Sequence, residues 1–364
     1  MRSIGKLLVF ASLLAITAPA QTRPVQPVPA QAEWSFAVSG DSRNCGDVVM
    51  PGIAARVVQS GARFYWHLGD FRAIYDFDQD YRQHHEHQTQ SSMSITDYQK
   101  GAWQDFIESE LAPFGPLPVF LAAGNHEMYS PKGRNEYLIQ FADWLEQSPI
   151  QQQRLRDDRN DHRLKAYYHW MSSTVDFVTL DNATHDQFDP EQVHWFEGVL
   201  ARAQSDPAIR AMVIGMHAAL PDSIASGHSM NDWPAGEQSG RRVYEDLLKF
   251  QAATGKRVYI LASHSHFYMA GIFNTEYWRS HGGVLPGWII GTAGAVRYPL
   301  PSGAKDAETA LTNVYGYLLA TVHADHSISF RFEQVRETDV PPAVIKQYSA
   351  SVVHDCYAEN TEAK

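Results

Sequence analysis

The chain contains 364 residues, of which 44% are hydrophobic and 12% aromatic, and its formal net charge at pH 7 is −11. This much apolar material is enough for one large domain or two ordinary domains with a sizeable core. The acidic balance argues against nucleic acid or an anionic membrane as a partner, because both attract a basic surface.

The first residues have the pattern of a secretory signal peptide. Arg2 and Lys6 precede an apolar run at 7–16, and small residues at 18–20 offer a cleavage site. The run is too short to span a membrane, which argues against the alternative of a membrane anchor. We therefore expect a signal peptide over residues 1–20, a proline-containing linker over 21–33, and an exported protein that is periplasmic or secreted.

From residue 34 onward, short apolar runs alternate with longer amphipathic stretches. The runs cover residues 34–40, 63–69, 117–124, 175–180, 211–216 and 257–263. Each run is closed by polar residues, which is typical of a buried strand. Helical patterns lie between several of them, at residues 48–59, 192–204 and 240–252. This alternation predicts an α/β sheet that is covered on both faces.

The rest of the chain completes one domain over residues 34–336, followed by a tail over 337–364. Residues 288–290, 316–323 and 327–334 predict a closing set of strands. Two stretches, 76–101 and 221–240, are interpreted as inserted loops beside strand ends, where active-site loops of α/β sheets occur. We expect the histidines of the first loop, His84, His85 and His87, to be solvated.

The chain has two cysteines, Cys45 and Cys356. In an oxidising compartment an isolated pair can form a disulfide, which would fasten the tail to the domain. The alternative is a pair of unbridged, buried thiols. The export signal favours the disulfide.

Polar residues follow five of the predicted strands at the point where each strand ends. They are Asp41, Asp70, Asn125 with His126 and Glu127, His217, and His264 with His266. Because the C-terminal strand ends of an open α/β sheet meet at one edge, these groups should converge. Imidazole suits zinc, iron and nickel, whereas carboxylate and amide oxygens suit harder ions such as manganese. The mixture predicts a metal site, and its lack of thiolates argues against a purely structural zinc site.

The order Gly-Asp, Gly-Asp, Gly-Asn-His-Glu, His and His-x-His resembles the calcineurin-like metallophosphoesterase superfamily over about residues 34–334. The resemblance implies a four-layer αββα sandwich with two mixed sheets and the metal site at the C-terminal strand edge. It also implies a phosphomonoesterase or phosphodiesterase that acts on small phosphate esters. A metal-bound hydroxide at a dinuclear site would attack phosphorus directly. The two ions would be divalent or trivalent iron, manganese or zinc.

The resemblance also implies a role for each position. The implied metal ligands are Asp41 and His266 for the first ion, Asn125, His217 and His264 for the second ion, and Asp70 as the bridge. His126 would not be a ligand but an acid or electrostatic stabiliser beside the leaving group. Glu127 would orient His126 or the local backbone.

Position 43 departs from the family pattern, which begins Asp-x-His and uses that His as a ligand of the first ion. Arg43 cannot ligate, because guanidinium stays protonated and has no lone pair to give. Purple acid phosphatases, one branch of the superfamily, use a Tyr three residues after the bridging Asp, but here that residue is Ala73. Tyr75 would reach the ion only if its loop bulges, and a water is the other substitute. We expect Arg43 to contact substrate phosphate, and the alternative is a salt bridge to Asp47 or Asp76.

A second functional hypothesis is a degenerate member of the superfamily that binds a ligand without turnover. Arg43 supports it, whereas the six implied ligands and His126 are all in place. The sequence does not distinguish monoesters from diesters as substrates.

Overall fold

The computed structural model describes residues 32–225 and 227–361. The predicted signal peptide and residues 21–31 of the predicted linker lie outside the described residues. Within this part of the chain the strands are β1 (Trp34–Ser39), β2 (Tyr65–His67), β3 (Val119–Leu121), β4 (Tyr168–Ser172), β5 (Val175–Thr179), β6 (Ala211–Gly215), β7 (Arg257–Ala262), β8 (Tyr268–Ala270), β9 (Gly287–Ile290), β10 (Thr309–Leu311), β11 (Tyr315–Val322) and β12 (Ile328–Val335).

The α-helices in the same described residues are α1 (Gly46–Ser60), α2 (Gln79–Thr89), α3 (Ile95–Asp105), α4 (Arg134–Gln140), α5 (Ala142–Leu145), α6 (Ser148–Asp157), α7 (Pro190–Ser205), α8 (Pro234–Thr254), α9 (Glu276–Ser280), α10 (Pro342–Tyr348) and α11 (Ala350–Ala358). A π-helical segment, Phe106–Leu111, continues α3, and a 3₁₀ turn, Asn125–Met128, follows β3.

The strands form two mixed sheets. The first sheet has the order β12, β11, β1, β2, β3, and its last three strands run parallel to one another. The second sheet has the order β10, β8, β9, β7, β6, β5, β4, with a parallel centre and antiparallel edges. The parallel strands of each sheet end at one edge, as the sequence predicts.

The two sheets pack against each other through large aromatic side chains. Phe36 of β1 meets Phe177 of β5 edge to face, with ring centroids 4.9 Å apart, and Phe120 of β3 stacks on Trp170 of β4 at 3.9 Å. Successive residues of a strand face opposite sides, so one side of β6 joins this core and the other packs against α7 and α8. Helix α1 covers the outside of the first sheet. The predicted four-layer αββα sandwich is confirmed.

Both stretches that the sequence predicts as inserted loops contain helical residues. The stretch 76–101 holds α2 and the start of α3, and the stretch 221–240 ends inside α8. Helix α2 was missed because its sequence is almost entirely polar, and Asp80 is its buried residue. His84, His85 and His87 lie on this helix and not in a loop; His84 and His85 are partly exposed and His87 is exposed.

The C-terminal tail packs on the first sheet's side of the domain. Cys45, just before α1, forms a disulfide with Cys356 of α11, with an S–S distance of 2.04 Å, which confirms the predicted bridge. Helices α10 and α11 bury Val344, Tyr348 and Val353 in the main core. In the described part of the chain, no helix has both the length and the apolar character needed to cross a bilayer.

Candidate metal centre

Three of the predicted site residues have left-handed backbone conformations. Asp41 after β1 has φ 61°, Asp70 after β2 has φ 59°, and His264 after β7 has φ 66°. Such a conformation costs a non-glycine residue of the order of 1–3 kcal/mol and concentrates at functional sites. Hydrogen bonds hold it in place, since the Asp41 N–H donates to Gly69 O at 2.9 Å and the His264 N–H donates to Asp41 Oδ2 at 2.8 Å.

The buried carboxylate of Glu127 fixes the loop that carries Asp70. It accepts the backbone N–H groups of Asp70 at 2.9 Å, Phe71 at 3.0 Å and Gly124 at 2.7 Å. A Cβ at position 124 would collide with Asp70 Oδ1, so this position requires glycine. Glu127 therefore orients the local backbone, which is one of the two roles the resemblance implies for it.

Four polar side chains converge at the position that the resemblance assigns to the second ion. His217 Nε2 lies 2.9 Å from Asn125 Oδ1, 3.0 Å from His264 Nδ1 and 3.3 Å from Asp70 Oδ1. With metal–nitrogen bonds of about 2.0–2.1 Å, the ligands of a tetrahedral ion lie about 3.3 Å apart. His217 Nδ1 contacts Leu68 O at 2.9 Å, which directs Nε2 into the group. The donor set fits one transition-metal ion.

The charges of this group are strongly coupled. Burial opposes protonation of His217, but Asp70 and Asp41 raise its pKa to about 10. Burial also opposes ionisation of Asp70, but His126 and His217 outweigh it and hold its pKa well below the ordinary value. An ion among these groups would replace the imidazole proton, so its binding would release protons.

The first predicted position is contacted by the side chain of Arg43, which is 8% exposed. Its Nη2 lies 3.3 Å from His266 Nε2 and 3.4 Å from the phenolic oxygen of Tyr298, and its Nε lies 3.7 Å from Asp70 Oδ2. Asp47, one of the two carboxylates proposed from the sequence as an alternative partner, pairs with Arg72 instead.

The remaining donors of the first position are already engaged. Asp41 Oδ2 accepts the backbone N–H of His264, and Asp41 Oδ1 lies 3.3 Å from His266 Nε2. The Nδ1 of His266 donates to Val296 O at 2.6 Å, so the nitrogen that is left to ligate faces Arg43. These residues do not fit an ion as the second position does, because a cationic side chain stands among them.

His126 lies beside this group without joining the set of converging donors. Its Nδ1 donates to Ala73 O at 2.7 Å, and its Nε2 lies 3.6 Å from Asp70 Oδ2. Burial lowers the pKa of His126 to about 4. Tyr75, considered from the sequence as a substitute ligand, is 55% exposed and packs its ring 5.0 Å from those of His126 and Tyr129. Tyr75 therefore lies beside the predicted acid.

Two further side chains reach the site that sequence reasoning did not place there. Tyr298 stacks on His266, with ring centroids 4.0 Å apart, and His228 lies between Tyr298 and His264 at 5.0 Å and 5.3 Å. A signal for Tyr298 existed, because it follows β9, which ends at the same edge of the second sheet. His228 comes from the predicted loop at 221–240, and nothing in its local sequence marks it.

A family model for calcineurin-like phosphoesterases matches residues 63–268, which is more than half of the chain. Asp41 and Arg43 precede the matched range, and the other predicted site residues fall inside it. No curated protein matches the chain.

Three solved structures of low sequence identity have a similar fold. One is the purple acid phosphatase PPD1 from yellow lupin seeds, with TM-score 0.54 and 16% identity, where the alignment covers 85% of this chain and 53% of the lupin chain. The second is PhoD, with TM-score 0.52, 13% identity and coverage of 91% and 78%. The third is GAP50, described as the anchor in the inner membrane complex of Plasmodium, with TM-score 0.51, 10% identity and coverage of 92% and 98%. The chain thus spans about half the length of the lupin phosphatase, and at these identities the likeness establishes the fold.

Proposed function

Because this chain belongs to the calcineurin-like phosphoesterase family, we propose that it is an exported enzyme that hydrolyses small phosphate esters with the help of bound metal. The observation that carries the proposal is the convergence of Asp70, Asn125, His217 and His264 at one strand edge. The predicted signal sequence and the disulfide support export, since such bridges persist in oxidising compartments.

The residues of the site have separate roles in the proposed reaction. A metal ion in the second position would acidify a water for attack and polarise a phosphoryl oxygen. Asp70 and His217 would hold that position, and each is fixed by the backbone of a neighbouring loop: Asp70 Oδ1 accepts the His126 N–H at 3.0 Å, and His217 Nδ1 contacts Leu68 O at 2.9 Å. Arg43 presents a planar fork of donors that matches phosphate oxygens. His126 faces the leaving oxygen through Nε2, because its Nδ1 donates to Ala73 O, and it stabilises or protonates that oxygen in its cationic form, in which Nε2 carries a proton as well.

The sequence further predicts a dinuclear centre, with Asp41 and His266 on the first ion. The first ion would have to bind at His266 Nε2, which the guanidinium of Arg43 already contacts. The metal-dependent reaction itself needs the second position, which is complete without Asp41 and His266.

The direct test is metal-dependent turnover of a panel of phosphate mono- and diesters by the purified mature protein. Chelation should abolish turnover of aryl phosphates, and manganese, zinc or iron should restore it. Asp70→Asn should lower kcat/KM by at least about a hundredfold. Arg56→Ala is the matched control, because Arg56 lies on α1 and pairs with Asp339 and Glu333.

The outcome that contradicts the proposal is a protein that binds metal and hydrolyses none of the esters. That result would favour the second hypothesis, a member of the family that binds a ligand without turnover.

A further inference from the structure

We propose that the guanidinium of Arg43 takes the place of the first metal ion, so that the working centre holds a single ion in the second position and uses Arg43 as its other cation. The inference deepens the proposed function and rests on it, since the same phosphate-ester site is involved. It replaces the dinuclear arrangement that the family resemblance implies.

The first step concerns charge. Asp41 and Asp70 are both fully buried, and buried carboxylates need cationic partners. Arg43 is itself almost buried, with its Nε 3.7 Å from Asp70 Oδ2. One bound ion together with one guanidinium supplies cationic partners on both sides of the Asp70 carboxylate.

The second step concerns the lone pair of His266. Its Nδ1 donates to the carbonyl oxygen of Val296, so the neutral ring carries its lone pair on Nε2. Arginine has donors only, so the 3.3 Å contact between Arg43 Nη2 and His266 Nε2 is a hydrogen bond donated by Arg43. A lone pair that accepts this bond is not available to ligate an ion at the same time.

The third step concerns how Arg43 is held. Tyr298 accepts a hydrogen bond from the same Nη2 at 3.4 Å and stacks its ring on His266, with the two planes 24° apart. His266, Tyr298 and Asp70 thus contact the guanidinium from three separate segments of the chain. Movement of the guanidinium out of the first position would break all three contacts.

The replacement changes the chemistry of the centre. A guanidinium binds no water as a Lewis acid would, so activation of the nucleophile falls entirely to the ion in the second position. Arg43 instead neutralises phosphoryl charge through hydrogen bonds with a fixed geometry.

The test is metal stoichiometry, measured by elemental analysis after loading the mature protein with excess Mn²⁺ or Zn²⁺ and desalting. We expect one ion per chain for the wild type. His264→Ala should lose it, whereas His266→Ala should retain it, because His266 contacts Arg43 and not the ion. Arg43→His should bind two ions, because it adds an imidazole ligand and frees His266. Arg56→Ala is the control and should match the wild type.

Two ions in the wild type, loss of the retained ion in His266→Ala, or a single ion in Arg43→His would each overturn the inference. Circular dichroism identifies any variant that does not fold, and the two histidine variants keep the test decisive if Arg43→His is such a case. An enzyme that turns over with two ions would refute the inference alone. A protein with one ion and no turnover would refute the proposed function alone.

Discussion

Replacement of Arg72 by methionine should destabilise the protein by about 3–5 kcal/mol, the usual cost of leaving buried charges without their partner. Arg72 follows Asp70 by two residues and is fully buried. Four carboxylates surround its guanidinium: Asp47 Oδ1 at 2.5 Å, Glu110 Oε1 at 3.2 Å, Asp78 Oδ2 at 3.7 Å, and Asp105 in closer contact.

The loss of unfolding free energy in Arg72→Met should depend on pH, and the buried carboxyl groups determine the direction of that dependence. Burial and the neighbouring Asp47 raise the pKa of Asp105 to about 7, and burial raises that of Glu110 well above its ordinary value. A carboxyl whose pKa is higher in the folded state stabilises the fold below its unfolded pKa of about 3.9, and this contribution disappears as pH rises through the folded value. Without Arg72 these pKa values rise further. The variant's loss should therefore be smaller at pH 5 than at pH 8, by at least about 1 kcal/mol.

Urea unfolding followed by tryptophan fluorescence at pH 5 and pH 8 measures the loss of unfolding free energy and its dependence on pH. The matched control is Arg56→Met, because the Arg56 side chain is 36% exposed and its Nη1 lies 3.2 Å from Asp339 Oδ1. An exposed pair of this kind contributes about 1 kcal/mol or less. Two results would refute this reasoning. One is an equal loss of unfolding free energy in Arg72→Met and Arg56→Met, and the other is a loss in Arg72→Met that is the same at pH 5 and pH 8.

Four further changes test the site and its supports. His126→Ala should retain bound metal and lower kcat roughly 10²–10⁴-fold, less for esters with good leaving groups, and loss of metal would identify a ligand instead. Glu127→Ala should cost at least about 3 kcal/mol in urea unfolding, since three buried N–H groups lose their acceptor, and a near-neutral change would refute that role. Cys356→Ser should lower stability by about 2–5 kcal/mol while metal content stays unchanged, and an unaltered Tm would contradict it. Tyr75→Ala should raise KM by about 2–10-fold for aryl phosphates and less for alkyl phosphates, because its exposed ring lies beside His126, and equal changes would exclude stacking.

The sequence predicts the centre of both sheets because strands that are buried on both faces need continuous apolar runs. The runs at 34–40 and 257–263, for example, form β1 and β7 almost residue for residue. Strand β4 was not predicted, because its apolar run is interrupted by His169, which is buried between Asp157 and Asp176. Strands β8 and β10, which lie together at one edge of the second sheet, were also not predicted.

The convergence of the site residues was predictable, but their orientation was not. Parallel strand ends share an edge, so carboxylate, amide and imidazole groups had to meet there. Which nitrogen of His266 faces the site depends on a contact with Val296 O, more than two dozen residues further along the chain. The stacking of Tyr298 and the left-handed backbone of Asp41 likewise arise from tertiary contacts that a local pattern does not encode.

At both predicted metal positions a backbone oxygen directs a histidine, and the positions differ in whether a cationic side chain contacts the donors. At the second position, His217 is directed by Leu68 O and the His264 N–H is held by Asp41 Oδ2. At the first position, Asp41 and His266 are also held through the backbone, by the His264 N–H and by Val296 O, and the guanidinium of Arg43 contacts the ring nitrogen of His266 that is left to ligate. Backbone contacts therefore preorganise the donors of both positions, and the difference between the positions is the cationic side chain beside the first one. Asp41 therefore serves the second position by fixing His264, even where the first position holds a guanidinium.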